Sequence, residues 1–539
     1  MLVPIAVAAA ALAAAGPPEG SSPQVEGDLF WARAGLQLRF TAEGSIANDM
    51  VLFNAATNSF AANQFLAAQP ADDYLSGLVF VSASLSPASW VDFRLDADTG
   101  LVRMEQLPLS TQACYSARTQ SGVAVSGSGF CRLTGVLSAF SGQLPSTQLA
   151  PAELTSNGQA IGDEFNSSFF IRQLYADLVA GPAGYLRTRV GRQRLRVGDG
   201  IIYDDWGLGV DLDADIGAVG PPLEVNLAVF LPTRYWPSPD QWVSPVATFT
   251  LNWLPALGDF VGAFVAYSHD STGDANQVLH EGFLATGVER ILNDQPGSLT
   301  YITASRQLAR LVAAPPAGTS DLWWAGLSGR LHVGDRNEAR FTAGASFGTV
   351  SSYGAGATAL IQAVEVPVLG WEVSARWNAL LGSGFRLSPF FLWLSGDDPA
   401  EEKQAALGVP KHHTGFLSIS PFLTETNLFF QGGISEAYAD RQLASSGVNA
   451  RGVITPGLEA GWTPVPAVEV VGKGAFLWSD TSGPFGGRVY GPEFDLNASW
   501  DVLPWLAFLG ELDLLAEGNF FPQRALSRRA IVGFDLTTP

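Results

Sequence analysis

The most constraining feature of this sequence is an alternation of apolar and polar residues with a period of two. Four stretches show it most cleanly: 91–96, 208–216, 371–378 and 492–501. In the last of these, Phe494 and Trp500 occupy even-numbered positions and Asp495 an odd-numbered one. Successive side chains of a strand point to opposite faces of a sheet. Each stretch therefore predicts a strand with one apolar face and one face exposed to water, and aromatic residues at its ends suit a membrane interface.

The composition narrows the fold class further. Hydrophobic residues make up 47% of the 539 residues and charged residues only 15%, against about 25% charged in a typical soluble domain. Beyond the first dozen residues, no apolar run approaches the ~20 residues of a membrane-spanning helix. A closed transmembrane barrel satisfies both observations, because its apolar residues occupy alternate positions. A soluble all-β protein, such as a sandwich or a β-helix, is the alternative, but it normally carries more surface charge.

The connections between the alternating stretches are of two kinds. Short ones rich in proline or glycine occur at 86–89, 180–184, 254–258, 463–466 and 502–504. Longer polar ones occur at 43–76, 105–164, 268–277 and 396–450. We therefore predict an all-β fold, an antiparallel transmembrane barrel of roughly 18 strands (16–20) with short periplasmic turns and long extracellular loops. Alternation at Ala530, Val532, Phe534 and Leu536 predicts the last strand.

The N-terminal segment and the cysteines indicate export. Residues 1–15 resemble a secretory signal peptide that ends on Ala13-Ala14-Ala15, residues 16–26 a flexible leader, and residues 27–539 the barrel. In an oxidising compartment, we expect Cys114 and Cys131 to form a disulfide, although two unrelated thiols remain the alternative. Together these features predict a location in the bacterial outer membrane.

Charge and motifs argue against several functions. The net charge of -21 disfavours a nucleic-acid partner, since phosphate binding needs a basic surface. The sequence contains no H-E-x-x-H motif and no P-loop. His412 and His413 are adjacent in a polar stretch, and with no third ligand nearby we interpret them as loop residues. We therefore expect neither an enzyme nor a metal or cofactor site.

Arginine is concentrated in one short region. Six of the 27 arginines fall within 25 residues: Arg172, Arg187, Arg189, Arg192, Arg194 and Arg196. Arg187 and Arg189 occupy odd-numbered positions, whereas Arg192, Arg194 and Arg196, after Gly191, occupy even-numbered ones. In a regular strand the last three would therefore face lipid, at a cost of ~2–4 kcal/mol each. We expect either a one-residue bulge at Gly191, which would return them to the lumen, or a position beyond the hydrocarbon. Tyr175, Asp177 and Arg376 are predicted to line the same lumen.

Two interpretations of this arginine cluster remain open. Guanidinium groups stacked on a channel wall would attract anions and bind carboxylates. Alternatively, they would form salt bridges that stabilise the barrel with inward carboxylates, such as Asp177, Asp204, Asp205 and Asp211.

At this cluster the sequence resembles the alginate-export family of bacterial outer-membrane porins. The likeness lies in 169–205, with Tyr175, the stretch Val190-Gly191-Arg192-Gln193 and Gly198-Asp199. The stretch 393–399, with its Ser395-Gly396-Asp397-Asp398, is similar as well. The resemblance implies a monomeric barrel of roughly 18 strands with an arginine-rich conduit for acidic polysaccharide or other anions.

The sequence therefore predicts an outer-membrane channel that passively conducts anionic solutes or an acidic polysaccharide through an arginine-lined lumen. Its expected partners are membrane lipids and the anion. The alternative is a barrel whose lumen is closed by loops 105–164 and 396–450, and which serves as an adhesin, receptor or assembly scaffold.

Overall fold

A computed structural model of the chain describes most of the predicted strands and part of the connections. The described residues are 30–44, 72–98, 101–103, 159–160, 170–181, 185–218, 220–232, 245–270, 319–355, 360–397, 412–419, 423, 425–430, 444–447, 450–483, 486–520 and 526–537. The expected signal peptide and leader, Cys114 and Cys131 lie outside these ranges. Among the described residues, no helix is long and apolar enough to cross a membrane.

The described strands are numbered in chain order. They are β1 (Phe30–Gly44), β2 (Asp72–Ala88), β3 (Val91–Asp98), β4 (Leu101–Arg103), β5 (Gln159–Ala160), β6 (Phe170–Ala180), β7 (Leu186–Val197), β8 (Tyr203–Asp215), β9 (Leu223–Pro232), β10 (Val246–Trp253), β11 (Phe260–Asp270), β12 (Ser320–His332), β13 (Asn337–Ala355), β14 (Leu360–Gly382), β15 (Phe385–Leu394), β16 (Leu417–Ser418), β17 (Ala444–Ser445), β18 (Val453–Val465), β19 (Val468–Trp478), β20 (Val489–Leu503), β21 (Leu506–Ala516) and β22 (Leu526–Thr537).

Eighteen of these strands form a closed antiparallel barrel, as the sequence predicts. The four short strands β4, β5, β16 and β17 lie outside this ring. Each barrel strand pairs with its neighbour along the chain, and β1 closes the ring by pairing with both β2 and β22. Leu36 of β1, for example, lies opposite Val79 on one side and Leu536 on the other. Closure leaves no free sheet edge, which a bilayer would not tolerate.

The predicted alternation of faces is confirmed by burial. On β20, Phe494 and Trp500 point outward and are 49% and 53% exposed, whereas Asp495 points inward and is 1% exposed. Most of the other barrel strands likewise carry large apolar side chains on the outer surface, among them Val210, Phe249, Trp371 and Val532. An apolar outer surface on a closed barrel is the surface that lipid requires, and it places the protein in the bacterial outer membrane.

The two kinds of connection lie at opposite ends of the barrel. All five predicted short turns fall at the ends of β2, β6, β10, β18 and β20, which in an up-and-down barrel meet at one end. The longest connections lie at the other end, between β1 and β2, β3 and β6, β11 and β12, and β15 and β18. These connections follow the asymmetry of outer-membrane barrels.

The buried apolar core lies inside the barrel. It joins residues of β7–β15 and β18–β21 to residues that fold inward from two connections, among them Ile202, Phe416 and Leu417. Trp324 of β12 is fully buried there, and its indole N–H donates to the carbonyl of Leu417 over 2.6 Å. The lumen is therefore partly filled by the protein's own chain.

Candidate functional site in the barrel lumen

The arginine cluster lies on the β6–β7–β8 part of the wall, without the predicted bulge at Gly191. β7 pairs with β6 and with β8 in continuous register through Gly191, so the bulge, the first of the two predicted alternatives, is absent. Gly191 instead has a φ of +134° and lies so close to β6 that a Cβ would be 2.3 Å from the carbonyl oxygen of Leu174. The irregularity is on β6, where Arg172 is the extra residue opposite Asp96 and Ala97 of β3.

Arg196 reaches the lumen because the end of the β7–β8 hairpin folds inward. Its tip, Gly198–Gly200, has positive φ at all three residues, which the two glycines permit. The carbonyl of Ile202 accepts the N–H of Ile419 over 2.7 Å. On one face of the hairpin, the ring of Tyr203 packs 4.8 Å from that of Phe230 on the barrel wall. The opposite face, which carries Arg194 and Arg196, is thereby turned away from this core.

Four arginines of the cluster are paired with aspartates. The Arg187 guanidinium contacts Asp177 through Nε at 2.8 and 2.9 Å and also through Nη2. Arg189 lies 3.4 Å from Asp177 and 3.6 Å from Asp211. These contacts match the salt-bridge interpretation, and Asp177 is shared by two cations.

The inward hairpin carries its own ion pairs. Arg194 Nε lies 2.6 Å from Asp204, while Arg196 lies 3.6 Å from Asp204 and 2.9 Å from Asp199. Asp205, the fourth predicted carboxylate, accepts the backbone N–H of Trp206.

The other predicted wall residues have separate environments. Arg192 is buried and its Nε donates to the carbonyl of Ile171 over 2.7 Å. Arg172 lies 5.0 Å from the ring centroid of Trp206, a cation–π distance. Tyr175 lies opposite both Arg94 and Gly191, and therefore on the inner face.

A second arginine group lies on the β12–β15 part of the wall. Arg330, Arg340 and Arg376 lie side by side in register on three consecutive strands. Arg376 and Arg386 of β15 both lie 3.0 Å from Glu459. Of these four arginines, only Arg376 is predicted from the sequence, because they are up to 56 positions apart and only strand register brings them together.

Part of the long β15–β18 connection crosses the lumen, and we name its described residues 412–419, 423 and 425–430 the strap. The strap begins along β14, where the N–H of His413 donates to the carbonyl of Pro367 over 2.9 Å. It then passes β13, where the N–H of Leu417 donates to Ser346 Oγ over 3.1 Å. The predicted loop residue His413 thus lies inside the barrel.

The far end of the strap is fixed to an acidic part of the wall. Glu493 accepts the N–H groups of Leu428, at 2.6 Å, and of Phe429, at 3.2 Å, and the hydroxyl of Thr426, at 2.9 Å. Asn427 donates to Asp495 and Asp513, and its carbonyl accepts from Arg529. This attachment lies about a third of the way around the ring from β12–β14, so the strap bridges two parts of the wall.

The Ser395-Gly396-Asp397 stretch holds the start of this connection. The carboxylate of Asp397 accepts the N–H of Thr414 over 3.0 Å and lies 3.4 Å from His413. Burial raises the pKa of Asp397, but His413, the N–H of Thr414 and Arg451 outweigh it, so its pKa lies below its usual value. The motif therefore attaches the strap to the wall.

A chamber of about 550 Å³ remains beside the strap. Five described arginines line it: Arg196, Arg336, Arg340, Arg376 and Arg386. Five described carboxylates also line it: Asp199, Asp335, Glu338, Glu425 and Glu459. It extends from the inward hairpin tip to the β12–β13 turn at the short-turn end. The chamber brings both arginine groups together, since Arg196 belongs to one and Arg376 to the other.

The stretch Gly344–Gly348 matches G-x-S-x-G, a hydrolase motif that sequence reasoning overlooked. Its serine, Ser346, lies within β13 and is fully buried under the strap. The motif requires an exposed serine on a strand-to-helix turn. The geometry of Ser346 is therefore that of a wall residue.

No protein-family model matches the chain, and no curated protein matches it. Among solved structures, it is similar to OccK9 (OpdG) of Pseudomonas aeruginosa, with a TM-score of 0.46 and 10% identity over 94% of this chain and 98% of that one. A BenF-like porin from Pseudomonas fluorescens Pf-5 gives a TM-score of 0.45, with 10% identity and the same coverage. OccAB1 of Acinetobacter baumannii gives 0.42, with 8% identity over 97% of this chain and 99% of that one. By its own strand pairings and apolar outer surface, the chain is an eighteen-stranded outer-membrane β-barrel.

Proposed function

We propose that this protein is an outer-membrane channel that passively conducts small anionic solutes, in particular carboxylates. One observation carries the proposal: arginines from two separate parts of the wall, Arg196 on one side and Arg340, Arg376 and Arg386 on the other, line a single chamber inside the barrel. Guanidinium groups bind carboxylates through paired hydrogen bonds. Rings of charged side chains set the ion selectivity of a pore.

Small solutes suit this lumen better than a polymer. The resemblance of 169–205 to the alginate-export family favours an acidic polysaccharide as the second candidate. A polymer, however, would have to thread past a strap that is hydrogen-bonded at both ends. The chamber volume of about 550 Å³ lies within the ~300–1,000 Å³ of sites that hold small molecules.

The strap also gives the alternative function its support. A barrel whose lumen is occupied by its own loop suits a receptor or scaffold, the alternative that the sequence predicts from loops 105–164 and 396–450. The 105–164 loop, apart from Gln159–Ala160, lies outside the described residues. We favour the channel because the chamber beside the strap is lined by charge rather than packed with apolar side chains. We further propose that it works as a monomer in the lipid of the outer membrane.

Single-channel recording in planar bilayers tests this function. The purified protein should give discrete conductance steps, and a salt gradient should give a reversal potential that indicates anion preference. Replacing Arg187 and Arg189 together by alanine should reduce that preference. The matched control is Arg488→Ala, an exposed arginine in the β19–β20 connection. Absence of conductance, or a preference for cations, would contradict the proposed function and favour the receptor or scaffold.

A further inference from the structure

The chamber is not uniformly basic, because its charges are arranged as two poles. One pole is the β13–β15 wall, with Arg340, Arg376 and Arg386. The other pole is formed by elements that project into the lumen. Its excess negative charge is Glu425 of the strap, because Asp199 of the hairpin tip is paired with Arg196 at 2.9 Å. With five arginines and five carboxylates, the described lining carries no net charge. A solute with one negative charge would therefore leave the acidic pole unused.

Glu425 is the least satisfied member of the acidic pole. Its Oε2 atom is buried and has no hydrogen-bond partner among the described residues. Burial raises the pKa of the Glu425 carboxyl, Asp199 of the hairpin tip adds to that, and Arg376 of β14 and Lys473 of β19 act in the opposite direction. A cationic group bound in the chamber would supply the missing partner. An unmade hydrogen bond costs more for a buried charged group than for a buried neutral one.

The basic pole offers the complementary surface. Glu459 is shared between Arg376 and Arg386, so one carboxylate serves two guanidinium groups. Arg376 also lies 5.1 Å from the ring centroid of Phe390, a cation–π distance. Arg386 also lies 3.9 Å from Glu469, which does not line the chamber. Within the chamber, the three arginines of this wall therefore outnumber their two lining partners, Glu338 and Glu459, and the excess positive charge favours a carboxylate of the solute.

We propose that the chamber is a binding site for small amphoteric solutes, such as amino acids or short peptides, with the carboxylate at Arg340, Arg376 and Arg386 and the cationic group at Glu425. This proposal rests on the proposed channel function and specifies its substrate class. A bound solute of this kind leaves the chamber neutral, whereas a simple anion or cation does not. Opposed charges in a confined lumen favour a dipolar solute because they attract both of its ends.

Three solutes with the same four-carbon chain test the proposal: 4-aminobutyrate, butyrate and butylamine. Their uptake is measured by the swelling of liposomes that contain the wild-type channel or a variant. In the wild type, 4-aminobutyrate should enter fastest. Glu425→Gln should slow 4-aminobutyrate about tenfold, the loss of one charge-assisted hydrogen bond, and should not slow butyrate, because the substitution removes a negative charge from the chamber. Glu425→Asp keeps the charge and should restore most of the preference.

The outcomes separate this inference from the proposed function. Equal or faster uptake of butyrate by the wild type, or an unchanged preference in Glu425→Gln, overturns the amphoteric site while leaving an anion channel intact. Absence of conductance in planar bilayers overturns both. Heat-modifiable migration of each variant on a denaturing gel shows that its barrel has folded, so a misfolded variant is not counted as a result.

Discussion

Arg340 lies directly opposite Arg376 across the β13–β14 ladder, with both guanidinium groups on the inner face of the barrel. Cβ atoms of such pairs are about 4.5–5.5 Å apart, and like charges in this position destabilise a sheet. Glu338 and Glu459 each compensate one of the two arginines. Sheet stability alone gives no reason for this pairing, whereas a channel that attracts carboxylates does.

Replacing Arg376 by alanine should therefore reduce anion preference without unfolding the barrel. A unit charge about 4 Å from a passing ion contributes about 1 kcal/mol in water, or about fivefold in relative permeability. Reversal potentials in a salt gradient measure this ratio. Glu459 keeps a partner in the variant, since Arg386 lies 3.0 Å away. An unchanged ratio would show that Arg376 lies away from the ion path.

Asp177 distinguishes the two interpretations of the arginine cluster. It is buried and shared by Arg187 and Arg189. Asp177→Asn removes one negative charge and releases two guanidinium groups, so anion preference should rise, while the temperature at which the barrel unfolds should fall. Asp92→Asn is the matched control, because Asp92 lies opposite Asp177 on β3 and is exposed. If both variants change selectivity equally, the release of the arginines has no effect on conduction.

Glu493 should determine how firmly the strap is held. Glu493→Ala leaves two backbone N–H groups and a hydroxyl without their acceptor, and each unmade bond costs about 1–3 kcal/mol. We expect a larger single-channel conductance and greater current noise, because the strap is free to move. Glu493→Gln retains an acceptor oxygen and should have a smaller effect. Identical traces for the wild type and Glu493→Ala would mean that other contacts are sufficient to hold the strap.

Asp397 gives the other end of the strap a dependence on pH. Its pKa in the folded protein is lowered below its usual 3.8. The Asp397 carboxylate therefore stabilises the folded protein fully at pH values above 3.8. This stabilisation is lost as the pH falls through the lower pKa that Asp397 has in the folded protein. Asp397→Asn should give, at neutral pH, the current noise that the wild type shows only in strong acid. If the current noise of the variant at neutral pH equals that of the wild type, the contacts of Thr414 and His413 with this carboxylate do not hold the strap.

Gly191 should tolerate no side chain. Its φ of +134° and the 2.3 Å approach of a Cβ to the Leu174 carbonyl oxygen predict that Gly191→Ala is destabilising. Backbone strain of this kind costs about 1–3 kcal/mol, and the steric overlap adds to it. Heat-modifiable gel migration gives the temperature of unfolding. Gly474→Ala is the control, because a Cβ there meets no atom within 4 Å. Equal unfolding temperatures for the two variants would contradict the strain at Gly191.

The sequence by itself determined the barrel. A period of two is a local property that each strand carries independently, so Phe494, Asp495 and Trp500 already identify an outer and an inner face. The turns are local as well, and their prolines and glycines locate the short-turn end. Because no long-range contact is needed for these patterns, the strand number, the membrane and the first arginine cluster could be predicted.

Only the tertiary structure decided what occupies the lumen. Strand register aligns Arg340 with Arg376, and no sequence pattern records which residues become opposite across a ladder. The inward fold of the hairpin tip, rather than a bulge at Gly191, turns Arg196 toward the chamber. The strap is held by individual hydrogen bonds between residues that are far apart in the sequence, such as Leu428 and Glu493, which are 65 positions apart. Contacts of this kind depend on distance in space and leave no periodicity in the chain.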